Sequence, residues 1–187
     1  MVYDVYKKLT NDDKIFLAPG ELYIAFEPTK IWTVLGSCVA IILYNREKKY
    51  GAMCHAQMPE NVENKMDCLD DCPDPCINSL QKGYSFKFVN CSIVYMLQKF
   101  HEEGIKNNQI EAYLYGGSNI MKIGDENSIG NRNIEIARKM LSHFGLTILH
   151  ENVGGSRGRS INFDTESGDI KMTFQEGKLT GNIKNKK

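Results

Sequence analysis

The chain is 187 residues long, 42% hydrophobic and 25% charged, the balance of a globular protein with enough apolar side chains to bury a core. Its 23 Lys and Arg are matched by 23 Asp and Glu, which excludes a bulk electrostatic attraction to nucleic acid or to an anionic membrane surface. No window approaches the ~20 apolar residues that cross a bilayer, and MVYDVYKKLTNDDK lacks the apolar run of a secretory signal, so a cytoplasmic chain with reduced thiols is expected.

Glu21 to Phe26 (ELYIAF) alternates as a strand does. Val39 to Tyr44 (VAIILY) is a continuous run rich in branched residues, the pattern of a strand buried on both faces. Tyr50 to Ala56 is expected to pair with it, because Asn45 to Lys49 (NREKK) is a polar connection of hairpin length. Pro59 to Tyr84 follows neither period and carries Cys68, Cys72 and Cys76 among prolines and aspartates; so long a loop usually binds or covers something. Asn90 to Glu103 reads as a helix with Ile93, Met96, Leu97 and Phe100 on one face and Gly104 as its stop.

Glu111 to Tyr115 is a strand closing on Gly116-Gly117, and Asn133 to Phe144 is a second helix, capped around Asn131, Arg132 and Asn133 and ended by Gly145. Leu146 to His150, Ser160 to Phe163 and Ile170 to Phe174 complete the strands, the last two joined by the turn Thr165-Glu-Ser-Gly168. Strands outnumber helices without regular alternation, so the fold class is α+β. One domain over 1–187 is expected, with the cysteine-bearing loop (about 60–84) as an insertion and a basic tail from about 178 to 187.

Thr33 to Asn45 (TVLGSCVAIILYN) sets a cysteine between a Gly-Ser turn and the core strand. A catalytic thiol needs a base or cation beside the sulfur, usually a histidine. Of the four histidines, His101 lies late in a helix, and His143 and His150 lie around the end of the second helix and the strand after it. Only His55 is brought near Cys38 by the expected hairpin, where directly opposed Cβ atoms are about 5 Å apart. Gly36 and Ser37 permit a turn that exposes peptide N–H groups to a developing oxyanion, and the Thr33 hydroxyl is a candidate to orient the imidazole. Against this stands core filling, since cysteine is among the most buried residue types.

TVLGSCVAIILYN, GAMCHAQMPE, YLYGGSNIM, IGNRN and ENVGGSRGRSINFDTESGDI, preceded by APGELYIA, occur in one order. Together they closely resemble the chemoreceptor glutamine deamidases of bacterial and archaeal chemotaxis, the CheD family. The resemblance covers nearly the whole chain except the first dozen or so residues, the cysteine-bearing loop and the tail. It implies a cysteine hydrolase without a cofactor, built as a layered α/β/β sandwich of mixed sheets with two main helices, similar to deamidating bacterial toxins. The family nucleophile falls on Cys38, its histidine on His55, and its threonine on Thr33, with Trp32 as the neighbouring register. Gln57, where the family is usually apolar, and Asn152, where it more often has Asp, are departures. Implied partners are methyl-accepting chemotaxis receptors as substrates and a CheC-type phosphatase. A transglutaminase sharing the thioester, and a non-enzymatic regulatory protein, are the competing readings.

Three further groups remain. Gly116-Gly117 and Gly154-Gly155 match no phosphate-cradling pattern and read as tight turns that let strands approach the site. Arg157 and Arg159 are candidates for substrate or partner contact, although the recurrence of the latter arginine in the resembling family points to a structural tie. Cys68, Cys72 and Cys76, with Cys91 farther on, leave free thiols, a metal site and redox pairing all open, while Pro73 and Pro75 forbid a helix aligning them.

Overall fold

The computed structural model describes residues 14–60, 86–119 and 128–175. The first cysteine-rich stretch (Cys68, Cys72, Cys76) and the basic tail lie outside the described residues. The elements are β1 (Lys14–Phe16), β2 (Leu22–Ala25), β3 (Lys30–Leu35), β4 (Val39–Asn45), β5 (Tyr50–Cys54), α1 (Val89–Glu102), β6 (Glu111–Gly116), α2 (Ile129–His143), β7 (Ile148–Val153), β8 (Arg159–Asp164) and β9 (Ile170–Phe174). A single 3-10 turn, Asn107–Gln109, follows α1.

Two mixed sheets result. The order β2-β5-β4-β6-β7 is antiparallel except for the β6/β7 pair, and β1-β3-β8-β9 is antiparallel except for the β1/β3 pair. Strand β4 explains the layering. All seven of its residues are buried. Val39, Ile41 and Leu43 pack with α1 and α2, whereas Ala40, Ile42 and Tyr44 pack with Ile31, Leu35, Ile161 and Phe163 of the other sheet. Period-two alternation sends successive side chains to opposite faces, so an unbroken apolar run requires cover on both. The result is the expected α+β fold in an α/β/β arrangement, helices on the five-stranded sheet and the four-stranded sheet against its other face.

The β4–β5 hairpin forms as the sequence predicts. Asn45 Oδ1 accepts from the Lys48 N–H at 2.8 Å, and Lys49 takes the left-handed conformation (φ 51°) that closes the turn. Two differences from the sequence-based expectation matter for the site. Helix α2 starts at Ile129, with Ser128 Oγ accepting from the Asn131 N–H at 3.3 Å, so Ser128 is the cap and Asn133 lies inside the helix. Strand β3 carries Ile31, Thr33 and Leu35 inward; the inward polar residue breaks the apolar alternation by which a strand is recognised.

Candidate active site

Gly36, Ser37 and Cys38 form the bend by which the chain crosses from β3 in one sheet to β4 in the other. Each carbonyl of the bend is held. Gly36 O accepts from the Ser118 N–H at 2.8 Å, Ser37 O from Asn133 Nδ2 at 3.0 Å, and Cys38 O from the Gly117 N–H at 2.8 Å. Within a trans peptide the C=O and the following N–H point in opposite directions. The N–H groups of Ser37 and Cys38 are therefore turned away from these anchors, and neither has a backbone acceptor among the described residues. The Gly116-Gly117 pair makes this close approach achievable. Both residues have positive φ (108° and 67°), and a Cβ on Gly116 would collide with Cys38 O.

His55 extends β5 by one residue. Its N–H donates to Glu21 O and its carbonyl accepts from the Gly20 N–H, both at 2.8 Å. The imidazole is buried, 1% exposed, and its Nδ1 lies 2.7 Å from Thr33 Oγ1 and 3.2 Å from Leu17 O. Thr33, 0% exposed, donates its hydroxyl hydrogen to Leu17 O at 2.7 Å. A carbonyl only accepts, so the Thr33 proton is already engaged and the proton between Oγ1 and the ring belongs to Nδ1. That assignment leaves the Nε2 lone pair open, and Nε2 is buried without a hydrogen-bond partner. Trp32, the alternative register, packs against Phe16 with ring centroids 4.5 Å apart and planes tilted by 51°.

The last rung between β4 and β5 is Val39–Ala56, with Val39 N donating to Ala56 O at 2.9 Å and Ala56 N to Val39 O at 2.8 Å. Carrying that register outward sets Cys38 opposite Gln57 and His55 opposite Ala40. The thiol and the imidazole are thus diagonal neighbours on one face, rather than the directly opposed pair expected from the hairpin. Diagonal neighbours have backbones about 7–8 Å apart, a gap long side chains bridge. Both belong to the layer between the sheets: Cys38 packs against its apolar cluster, and His55 bonds to Thr33 on β3.

Burial pushes the Cys38 thiol above its ordinary range, partly offset by its own peptide N–H. Burial also pulls His55 below the usual imidazole range, with Leu17 O and the Glu21 charge acting the other way. Both shifts favour the neutral forms, so the resting pair is thiol and free base.

With this geometry in place the comparisons with known proteins are decisive. The profile of the family described as CheD chemotactic sensory transduction matches residues 73–174, more than half of the chain. A protein of Geobacter sulfurreducens named "Probable chemoreceptor glutamine deamidase CheD 2" is 32% identical over 157 residues, covering 83% of this chain and 86% of its own. Similar proteins include one of Maridesulfovibrio salexigens (33% over 162 residues, 84% and 89%) and one of Methanosarcina acetivorans (35% over 157 residues, 83% and 89%), named as chemoreceptor glutamine deamidases CheD and CheD 1, both "Probable". The chain belongs to the CheD family. Spans of this length in a 187-residue chain take in both Cys38 and His55.

Other residues of this CheD-family chain divide between structural and surface positions. Arg159 is not a surface contact: it is 3% exposed and donates to Asn152 Oδ1 (2.6 Å), Gly116 O (3.1 Å), Ser118 Oγ (2.6 Å) and Gly154 O (2.6 Å). It ties the β7–β8 loop to the end of β6 beside the Cys38 bend. Arg157 is exposed, with its guanidinium 3.9 Å above the Phe174 ring. Cys91 is buried in α1. No cluster of three or more His, Cys, Asp or Glu able to hold a metal ion exists among the described residues. No helix among them is long and apolar enough to cross a membrane.

Sequence reading missed Leu17 O, Ser118 and Asn133. A backbone acceptor leaves no trace in residue type. Asn133, in IGNRN, reads in the sequence as part of a helix cap. The chain leaves the described core at Pro59–Glu60 and returns at Phe86–Phe88, where Lys87 O accepts from Gln57 N and Met58 N at 2.8 Å each. The described residues on either side of positions 61–85 therefore meet beside the site.

Proposed function

We propose that this chain hydrolyses the side-chain amide of glutamines in chemotaxis receptors to glutamate, releasing ammonia, with Cys38 as nucleophile, His55 as general base and acid, and Thr33 as the residue that holds the ring. The observation supporting it is the Leu17 O–Thr33–His55 relay, which fixes the proton on Nδ1 and leaves Nε2 open on the face it shares with Cys38. The named activity of relatives covering more than four-fifths of the chain supplies the substrate class.

The chemistry follows from the protonation states. His55 Nε2 takes the Cys38 S–H proton as sulfur bonds to the carboxamide carbon, because a neutral pair must transfer the proton during attack. The carbonyl oxygen becomes an oxyanion that accepts hydrogen bonds from the Ser37 and Cys38 N–H groups; one such donor typically contributes about 3–4 kcal/mol to barrier lowering. Collapse breaks the C–N bond, and the Nε2 proton leaves with ammonia. Water then attacks the thioester, giving one proton to Nε2, and the C–S bond breaks to leave glutamate and a reprotonated thiol. The product replaces a neutral side chain by an anion, changing the electrostatics of a receptor helix. A CheC-type phosphatase partner and a cytoplasmic setting belong to the same reading.

Peptide mass spectrometry of a receptor cytoplasmic fragment, incubated with the protein and a primary amine, tests it. Glutamine-to-glutamate conversion is expected. Amine incorporation would point to a transglutaminase, and an unchanged fragment to a regulatory binding protein; either contradicts the proposal.

A further inference from the structure

The Val39–Ala56 rung is followed by a break in the ladder at the place where the site opens. In a continuing antiparallel pair, the next hydrogen-bonded rung would join Ser37 and Met58. Met58 N donates instead to Lys87 O, and among the described residues no strand residue donates to Ser37 O. What enters the gap is the side chain of Asn133 from α2. Its Nδ2 donates to Ser37 O on one side and to Gln57 O on the other, each at 3.0 Å.

Asn133 is 0% exposed, and its Oδ1 has no hydrogen-bond partner. Its orientation is not ambiguous, since both neighbours are carbonyls and only the NH2 group satisfies them. A buried acceptor left unpaired is costly and uncommon in native proteins. The helix gains no cap from this residue, because Ser128 supplies that function. The arrangement makes sense as a device that uses both amide protons at the junction of the two catalytic strands.

Resting on the deamidase reading above, we propose that Asn133 is a positioning residue for that reaction: its carboxamide substitutes for the missing β4–β5 rung and holds the Ser37–Cys38 peptide with its carbonyl inward, so that the Cys38 N–H faces the reacting oxygen. His55 does not depend on it. The ring is fixed separately by Thr33, and the His55 backbone by Glu21 and Gly20. Asn133 therefore acts on the oxyanion site through the Ser37–Cys38 peptide, while the imidazole is held by groups that it does not touch.

This separation is measurable. Alkylation of Cys38 by iodoacetamide displaces iodide directly and develops no carbonyl oxyanion, whereas glutamine hydrolysis does. For Asn133→Ala, kcat for ammonia release from a receptor fragment should fall about 30-fold or more with KM nearly unchanged, while the alkylation rate stays within about threefold of wild type. Asn133→Ser, offering at most one donor, is read identically should the alanine variant not fold. A kcat close to wild type, or hydrolysis and alkylation falling together by one factor, overturns the proposal. Cys38→Ala is run alongside. Undiminished ammonia release by that variant overturns the reading of the site itself, whereas loss in Cys38→Ala with wild-type turnover in Asn133→Ala overturns the Asn133 assignment alone.

Discussion

Cys54 and His55 are consecutive residues, yet they face different worlds. Cys54 points into the layer between the five-stranded sheet and the helices, a largely apolar environment closed by α1 and α2 in which the Ser92 hydroxyl is its polar neighbour, and there it is 0% exposed and burial pushes its thiol up to about 12. His55 points into the layer between the sheets, whose end at the β3–β4 crossing holds Thr33 and the half-buried Cys38. Two thiols on neighbouring strands thus receive opposite fates from the same alternation. A sealed layer makes cysteine a small hydrophobe, whereas under the proposed function the open layer end beside an oriented base is what would make Cys38 reactive.

The sharpest way to break that contrast is to remove the base. His55→Ala should lower glutamine hydrolysis by about 10³-fold or more and slow alkylation of Cys38 at neutral pH, because the thiol would face burial with no acceptor for its proton. Alkylation of Cys54 in the folded protein should be negligible before and after. The wild-type pH profile belongs to the same test. His55 is protonated only below the ordinary imidazole range, so kcat/KM should hold through neutrality and fall as acidity passes that lowered value. Stability follows with the same sign. The unfolded chain takes up this proton first, near pH ~6.5, so the stabilising contribution of neutral His55 is present above that value and lost as pH falls below it.

Thr33→Val comes next. It keeps the shape of the side chain but removes the acceptor for Nδ1–H, freeing the ring to rotate or to change tautomer. A loss of about 10–100-fold in kcat with little change in KM is expected, the scale seen when partners orienting a functional histidine are removed. Smallest is Cys54→Ala, which trims one buried sulfur from the helix side. Denaturant unfolding should show about 1–2 kcal/mol of destabilisation, with ammonia release within about twofold of wild type.

Much of this architecture is legible in residue order, for physical reasons that differ between elements. VAIILY announces β4 because both of its faces are covered, and the apolar stripe Ile93, Met96, Leu97, Phe100 announces α1 because only one of its faces is. The thiol and the imidazole are legible because a short polar hairpin brings their strands together. Their diagonal offset is not, since register depends on where the Val39–Ala56 rung falls, and loop length alone leaves that open. Strand β3 is hidden because its two faces do not alternate, with Thr33 at an inward position and the apolar Trp32 and Val34 at outward ones. Asn133 is hidden by its neighbours. An asparagine near a helix start reads as a cap, and only the position of Ser128 reveals that it is free for other work.

Cys38→Ala tests the central claim most directly. Ammonia release from a receptor cytoplasmic fragment should drop to the uncatalysed background, while thermal unfolding stays close to that of the unaltered protein. Release at an undiminished rate by the folded variant would contradict the account, placing the chemistry on some group other than this sulfur.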